Sequence, residues 1–334
     1  MAFLTPSLAD PAWWRGKRVV VTGGGGFIGS HVVERLLPVA AEVTVPTRGA
    51  AVPRFLAAVA SDVRAVQCDL RDPAQAATAV HGADVVLMLA ATVGGIEYNM
   101  AHHGSVFRDN LGAYMATLDA CRSAGVGRVL VTSSACVYPR HCAIPTPESE
   151  GFVDRPEPTN EGYGWAKRME EFLAAAYHRE FGMSIVVARP YNAYGPRDNF
   201  DPASSHVIPA LIRKALHQPG DDLVVWGSGQ QSRSFLYVSD FADGLIRICE
   251  RAQDALATNV GADEETTIGE IASIVCELAG SGKRPTFDTS KPEGQPRRHC
   301  DVSKLARDFE FKARVTLREG LAETVRWYAA EGAP

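Results

Sequence analysis

Lys17-Arg18-Val19-Val20-Val21-Thr22-Gly23-Gly24-Gly25-Gly26-Phe27-Ile28-Gly29-Ser30-His31 decides how the rest of the chain is read. The β-branched run Val19–Val21 predicts a short strand. Val32, Val33, Leu36 and Leu37 then fall at helical spacing. Between the two, Gly23, Gly26 and Gly29 form a GxxGxxG pattern. The first permits a tight turn, and the second lets backbone N–H groups approach a pyrophosphate. The third lets the helix pack close to the strand, so that its N-terminus faces the phosphates. Gly23, Gly26, Phe27, Ile28 and Gly29 are therefore candidate cofactor contacts. An isolated glycine-rich turn often carries no chemistry, but a strand before it and a helix after it argue against that reading here.

Working outward, strands and helices alternate to about residue 190. Arg18–Val21, Glu42–Val45, Val63–Gln67, Asp84–Leu89, Arg128–Ser133 and Ser184–Arg189 are predicted strands, with helices at Val106–Ala124 and Tyr163–Phe181 among them. Such alternation specifies an α/β fold, a Rossmann-type doubly wound parallel sheet. Ligand chemistry belongs at the carboxyl ends of its strands. Gly23, Asp69, Ala91, Ser134 and Asn192 all follow strand ends. After Pro190 a helix is expected at Ser205–His217 and a strand at Leu223–Trp226; Phe235–Val238 and the helix Ser239–Arg251 are expected to return to the nucleotide domain. The expected division is a dinucleotide-binding domain at 15–190 plus about 233–255, and a smaller C-terminal substrate-binding lobe at 191–232 and 256–330.

The second strand ends in Thr47 where an NAD-binding chain usually has an acid for the ribose 2′-hydroxyl, and Arg48 stands beside it. Without the carboxylate nothing repels a 2′-phosphate, and a guanidinium can pair with it. NADP(H) is thus preferred, with NAD(H) possible. Asp69 and Leu70 end the third strand, near an adenine. Ala90 and Ala91 end the fourth, small enough for backbone to pass close to a dinucleotide.

The bulk properties, 46% hydrophobic and 22% charged residues over 334 positions, fit a globular enzyme with a substantial core. A net charge of −5 with no basic stripe argues against nucleic acid. No apolar stretch approaches the roughly 20 residues needed to cross a bilayer, and Met1–Trp14 lacks the pattern of a signal peptide. A cytoplasmic location is expected, with Met1–Trp14 a short arm on the surface. Seven scattered cysteines without a CxxC pair suggest neither a disulfide framework nor zinc, and no metal is expected. Cys121, Cys249 and Cys276 read as packing residues.

Tyr163-Gly164-Trp165-Ala166-Lys167 lies downstream of Ser133-Ser134-Ala135-Cys136-Val137-Tyr138. Tyrosine and lysine four apart share a helix face. The Lys167 ammonium would favour the Tyr163 phenolate against its usual pKa of about 10. With the Ser134 hydroxyl at a strand end, the set can move a proton on and off a sugar oxygen while hydride moves at its carbon. Cys136, two residues past Ser134 on a segment read as extended, would point to the same side.

With these motifs and Arg189-Pro190-Tyr191-Asn192-Ala193-Tyr194-Gly195-Pro196 in view, the chain resembles the extended short-chain dehydrogenases that act on nucleotide sugars, the NAD-dependent epimerase/dehydratase family. Within that family it is most similar to the GDP-L-fucose synthases, which are 3,5-epimerase/4-reductases. The similarity runs through Val93–Ile96, Glu157–Glu161, Gly195–Phe200, Ser205–Leu211 and Val224–Gly229. The stretches Gly94–Asn110 and Gln231–Phe235 look closer to GDP-mannose 3,5-epimerases, which carry a lysine in place of His206. The resemblance implies Ser134, Tyr163 and Lys167 for the hydride step, Cys136 and His206 as the epimerising pair, and Gly95, Asn192, Val207, Lys214, Trp226 and Arg233 as substrate contacts. It also implies a nucleotide-diphosphate sugar, GDP first, as the substrate, and a homodimer joined through Val106–Ala124 and Tyr163–Phe181. Two readings stay open beside the 3,5-epimerase/4-reductase. One is a 4-epimerase, or a GDP-mannose 3,5-epimerase-like enzyme with transient oxidation at C4. The other is a non-catalytic dinucleotide sensor.

Overall fold

The computed structural model describes residues 10–291 and 295–331, without the side chains of Ile96 and Glu97. Strands β1 (Arg18–Thr22), β2 (Glu42–Thr47), β3 (Val63–Gln67), β4 (Val85–Met88), β5 (Arg128–Thr132) and β6 (Ile185–Pro190) match the sequence-predicted positions within two residues or so. Strands β7 (Asn192–Tyr194), β8 (Asp222–Trp226), β9 (Ser232–Tyr237), β10 (Ala257–Val260), β11 (Glu265–Thr267), β12 (Arg284–Asp288) and β13 (Arg297–Arg298) follow. The main sheet is parallel, in the order β10-β6-β5-β4-β1-β2-β3. Its strand order reverses between β1 and β4, which is where such folds open a crevice for ligands.

The parallel strands are apolar along nearly their whole length, as burial on both faces requires. Val19, Val21, Val43, Val45 and Leu87 pack on one side with the helix Phe27–Leu36 and with Phe241, Leu245 and Ile248. Val20, Val86, Val129, Val131 and Val187 pack on the other with Tyr114, Leu118 and Ala174 from the helices His103–Ala124 and Glu161–Phe181.

Three expectations change. Phe235–Val238 does not return to the main sheet: β9 pairs instead with β7, β11 and β13 in a separate small sheet. The strand that does return is Ala257–Val260, laid on β6, while the helix Val238–Arg251 covers the main sheet as expected. Four residues too short to show a period, Ala257–Val260 carried no signal distinguishing them from loop. The third concerns the N-terminal arm, of which residues 1–9 lie outside the described residues. Pro11–Trp14 form a helical turn capped by Asp10, and Trp14 is fully buried, its Nε1 donating to Glu250 Oε1 at 2.6 Å. Among the described residues no helix is long and apolar enough to cross a membrane. Cys121, Cys249 and Cys276 are buried in packing positions.

Candidate active site

The glycine turn sits at the crevice between β1 and β4. Gly23 has φ +69°, and a Cβ there would lie 2.8 Å from the Ala90 backbone nitrogen. A Cβ on Gly29 would collide with the Gly23 carbonyl. Helix and strand are thus as close as the GxxGxxG pattern predicts. The Ala90 N–H donates to Thr22 Oγ1 at 3.2 Å. The helix Phe27–Leu36 begins at Gly26 with no side-chain cap, so its first N–H groups stay available for an anion. Phe27 and Ile28 are half-buried at its start. At the end of β2, Thr47 is followed by the exposed Arg48. Asp69, past β3, is gripped by Arg71 (Nη2 to Oδ2 2.7 Å), which with its neighbouring backbone bond holds the carboxyl down at about 2. Leu70 and Ala91 flank the same edge. This cradle fits a dinucleotide: backbone donors toward a pyrophosphate, a close-packed floor, and a cation beside the second strand.

Ser134 and Tyr163 come together because a glycine lets two elements touch. A Cβ on Gly164 would strike the Cys136 carbonyl and Pro156, so only glycine admits the helix Glu161–Phe181 against the segment after β5. The two serines separate in role. Ser133 Oγ donates to buried Glu171, while Ser134 Oγ faces the other way and accepts from the Cys136 N–H at 3.1 Å. The Cys136 segment is not extended, as alternation suggested. Ala135–Val137 is a 3-10 turn started by Ser134, and the turn is what folds Cys136 back beside the serine.

Lys167 is buried, with Nζ 5.6 Å from the centre of the Tyr163 ring. Its Nζ donates to the Thr132 carbonyl at 2.9 Å and to Glu170 Oε2 at 2.8 Å. Lys167 pulls the Tyr163 pKa down as expected, but the pull does not prevail. Burial, the larger influence, pushes the phenol up to about 12 against the downward pull of Lys167, and Glu170 and Cys136 add to the rise. Behind the site, Arg189 pairs with Glu171 (2.6 and 2.7 Å) and donates to Tyr138 Oη, which itself donates to Asn259 Oδ1 at 2.5 Å. This clasp ties the helix to β6 and β10.

The remaining residues lie on the second sheet and the helix Val207–His217. Asn192 Nδ2 donates to the Ser234 carbonyl at 2.9 Å. Arg233 is half-buried, and burial together with the charge of Arg298 brings its pKa down to about 10. Arg298 stands opposite Arg233 in the β13–β9 pairing and approaches Cys136 Sγ at 3.9 Å. The His206 side chain is 63% exposed, with Nδ1 3.9 Å from Oδ1 of the buried Asp198. That carboxylate is the main reason its pKa is raised; partial desolvation and the charge of Arg298 act against it. Gly95 backs onto the Ser204 backbone beside His206 and Val207. Lys214 Nζ donates to the Val224 carbonyl at 2.8 Å and lies 5.9 Å from the half-exposed Trp226 ring, which Lys291 also flanks at 5.7 Å. Arg298, Glu170 and Lys291 escaped the sequence reading. Only the spacing Lys167–Glu170, one turn on a predicted helix, offered any signal. Among the described residues no cluster of side chains suited to a metal ion occurs.

Residues 19–261 match the NAD dependent epimerase/dehydratase family. The chain belongs to that family. Its similarity to curated relatives runs nearly end to end. It is 34% identical to a probable GDP-L-fucose synthase 1 of Oryza sativa subsp. japonica, over 94% of this chain and 92% of that one. It is also 34% identical to a dTDP-4-dehydro-6-deoxy-D-allose reductase of Streptomyces, over 94% and 97%. Among solved structures, a GDP-L-fucose synthetase from Naegleria fowleri bound to NADP superposes with a TM-score of 0.78 at 25% identity, covering 95% of each chain. As a member of the epimerase/dehydratase family the chain is an enzyme, and its cofactor is a nicotinamide dinucleotide.

Proposed function

We propose that this enzyme reduces the C4 ketone of a nucleotide-diphosphate 4-keto-6-deoxy sugar after inverting C3 and C5, a GDP-L-fucose synthase-like reaction with GDP as the carrier and NADP(H) as the cofactor. One observation carries the reading. Cys136 bonds through its N–H to Ser134 and lies at 3.9 Å from Arg298, whose charge also reaches His206. The link through Arg298 supports reading Cys136 and His206 as a proton-exchanging pair beside the hydride-step set.

Gly23, Gly26, Phe27, Ile28, Gly29, Ala90, Ala91, Asp69, Leu70 and Arg48 would hold the cofactor, which supplies hydride at C4 when bound. The chain's own residues do the rest. Ser134 and Tyr163 donate hydrogen bonds to the C4 oxygen, the atom on which charge develops when a proton leaves C3 or C5. Cys136 takes that proton on one face and later gives it to solvent. His206, whose pKa Asp198 raises, donates on the other. Tyr163 then gives its proton to the C4 oxygen. Residues 191–232 and 256–330 would form most of the sugar-nucleotide side, with Asn192, Arg233, Lys214, Trp226, Val207 and Gly95 as contacts. Met115 and Phe172, 46% and 56% exposed on the helices His103–Ala124 and Glu161–Phe181, would be covered by a second copy. Tyr114 and Leu118, on the first of these helices, face the sheet. Sedimentation should give a dimer at micromolar concentration.

A plain 4-ketoreductase is the second reading, favoured by the exposure of His206 and the equally similar dTDP-sugar reductase. Both readings are tested by incubating the enzyme with NADPH in deuterated water and a panel of GDP- and dTDP-4-keto-6-deoxy sugars. Net NADPH consumption with two deuterons entering a GDP sugar is expected. Reduction without deuterium at C3 or C5 selects the plain reductase; C4 inversion without net consumption selects a 4-epimerase.

A further inference from the structure

We propose that Glu170 is a positioning residue that neutralises the Lys167 ammonium and so keeps Tyr163 a neutral phenol, building the pair to give a proton to a ketone oxygen and not to take one from an alcohol. The inference rests on the C4 reduction in the proposed function and adds a direction to it.

The geometry is specific. Glu170 follows Lys167 by three residues on one helix, both side chains are 4% exposed, and their charged atoms meet at 2.8 Å. A tyrosine–lysine pair can stabilise a phenolate only with whatever positive charge the lysine has left. Here the Glu170 carboxyl oxygen lies 2.8 Å from Nζ, against 5.6 Å to the centre of the Tyr163 ring, in a place where solvent screens little. The other titratable groups nearby are otherwise engaged. Glu171 is taken by Arg189 and Ser133. Tyr114, across on the helix His103–Ala124, donates to the Glu170 backbone carbonyl at 2.8 Å, and Cys121 on that helix is fully buried. Cys136 lies against Arg298. Glu170 is therefore the carboxylate left to Lys167. Its charge adds to the rise of Tyr163, after burial and Cys136. Burial pushes Glu170 itself up to about 7 against the pull of Lys167, so the neutralising charge is complete above that pH, the range in which Tyr163 would ionise.

A phenol is the form that reduction uses. The Tyr163 O–H bond breaks and its proton joins the C4 oxygen, while C4 gains the two electrons of a hydride from the reduced nicotinamide cofactor. The ketone becomes an alcohol, and Tyr163 is left as a phenolate that solvent reprotonates. An enzyme that began by oxidising C4 would need the phenolate first, and the Lys167–Glu170 pair opposes it.

The test is a tyrosinate absorbance titration of the wild type, Glu170→Gln and the double variant Glu170→Gln/Tyr163→Phe, with neither cofactor nor substrate present. It is read beside the pH profile of ketone reduction. Glu170→Gln should bring one tyrosine into titration roughly one pH unit or more lower. That tyrosine should vanish in the double variant, and the basic limb of the reduction profile should move down with it. Glu170→Asp keeps the charge and should keep the wild-type limb. Should Glu170→Gln not fold, Glu170→Met fills the same buried space and should give the same shift. A folded Glu170→Gln or Glu170→Met with wild-type titration overturns the proposal, as does a shifted tyrosine that survives Tyr163→Phe. Because the titration needs no substrate, its failure is distinct from a failure to reduce any sugar.

Discussion

At the crevice between β1 and β4 the chain offers backbone. Around Cys136 it offers charged side chains. The first region is assembled from neighbours in sequence, Gly23 to Gly29, joined by one strand-end contact at Ala90. The second gathers Ser134, Cys136, His206, Arg233 and Arg298, residues spread over nearly half the chain and delivered by a 3-10 turn, a helix start and two strands of a separate sheet. A backbone cradle recognises what every dinucleotide shares, so it needs little beyond shape. In the proposed reaction the sugar side must select one substrate and exchange protons at chosen carbons, which takes particular side chains at particular distances. The comparison can be broken by showing that the two regions do not fail separately.

The largest effect should come from Tyr163→Phe, which removes the proton given to the C4 oxygen. Reduction should fall by about 10²–10⁴, while cofactor affinity, measured by NADPH fluorescence, stays within a few-fold. Cys136→Ser and His206→Asn should do the converse on a 4-keto substrate. Deuterium entry at C3 or C5 should drop by a similar factor while the intact Ser134–Tyr163–Lys167 set still reduces C4. Wild-type exchange in both variants would return Cys136 and His206 to packing and surface roles, and the division drawn here would collapse.

The same contrast explains what was legible in the sequence. The main sheet and the glycine turn were readable because each signal is local: β-branched runs, glycine spacing, a tyrosine and lysine one helical turn apart. Ala257–Val260 was not, since its place beside β6 is fixed by packing under the helix Val238–Arg251 and not by its own four residues. Nor was Arg298. It acquires meaning only through a two-residue strand laid opposite Arg233 and through Cys136, 162 positions away. The Cys136 position was found for an incomplete reason, because a turn and not strand alternation brings it to Ser134. The phenol of Tyr163 was misjudged because helix spacing reveals a lysine but not the depth of burial that outweighs it.

A smaller effect is expected on the cofactor side. Arg48 is exposed at the end of β2 with no carboxylate beside it on that strand end. Arg48→Asp puts a negative charge where a 2′-phosphate would lie and a hydroxyl acceptor where a ribose would. It should shift the NADP(H) to NAD(H) affinity ratio roughly tenfold toward NAD(H), about 1.4 kcal/mol. A wild type that already binds NAD(H) tenfold more tightly would show that this strand end was misread. The sugar-side variants should leave the ratio untouched.

The smallest effect tests the sugar side from within. His206 owes the rise in its pKa chiefly to Asp198, whose Oδ1 lies 3.9 Å from Nδ1, and Arg298 and partial desolvation pull the other way. If His206 donates a proton during exchange, exchange needs its charged form, so the rate must fall as pH rises through its pKa. Asp198→Asn removes the charge that holds this pKa up, and the falling limb of deuterium incorporation should therefore move to lower pH. The His206 side chain is 63% exposed, and solvent screens such a pair strongly. The displacement should therefore be below about one pH unit. The C4 reduction profile, governed by Tyr163, should not move with it. A limb that stays in place in Asp198→Asn but disappears in His206→Asn would mean that His206 is the donor but is tuned by Arg298 and partial desolvation instead. A limb unaffected by either variant would assign the proton to another group, and the remaining candidate of the pair is the Cys136 thiol beside Arg298.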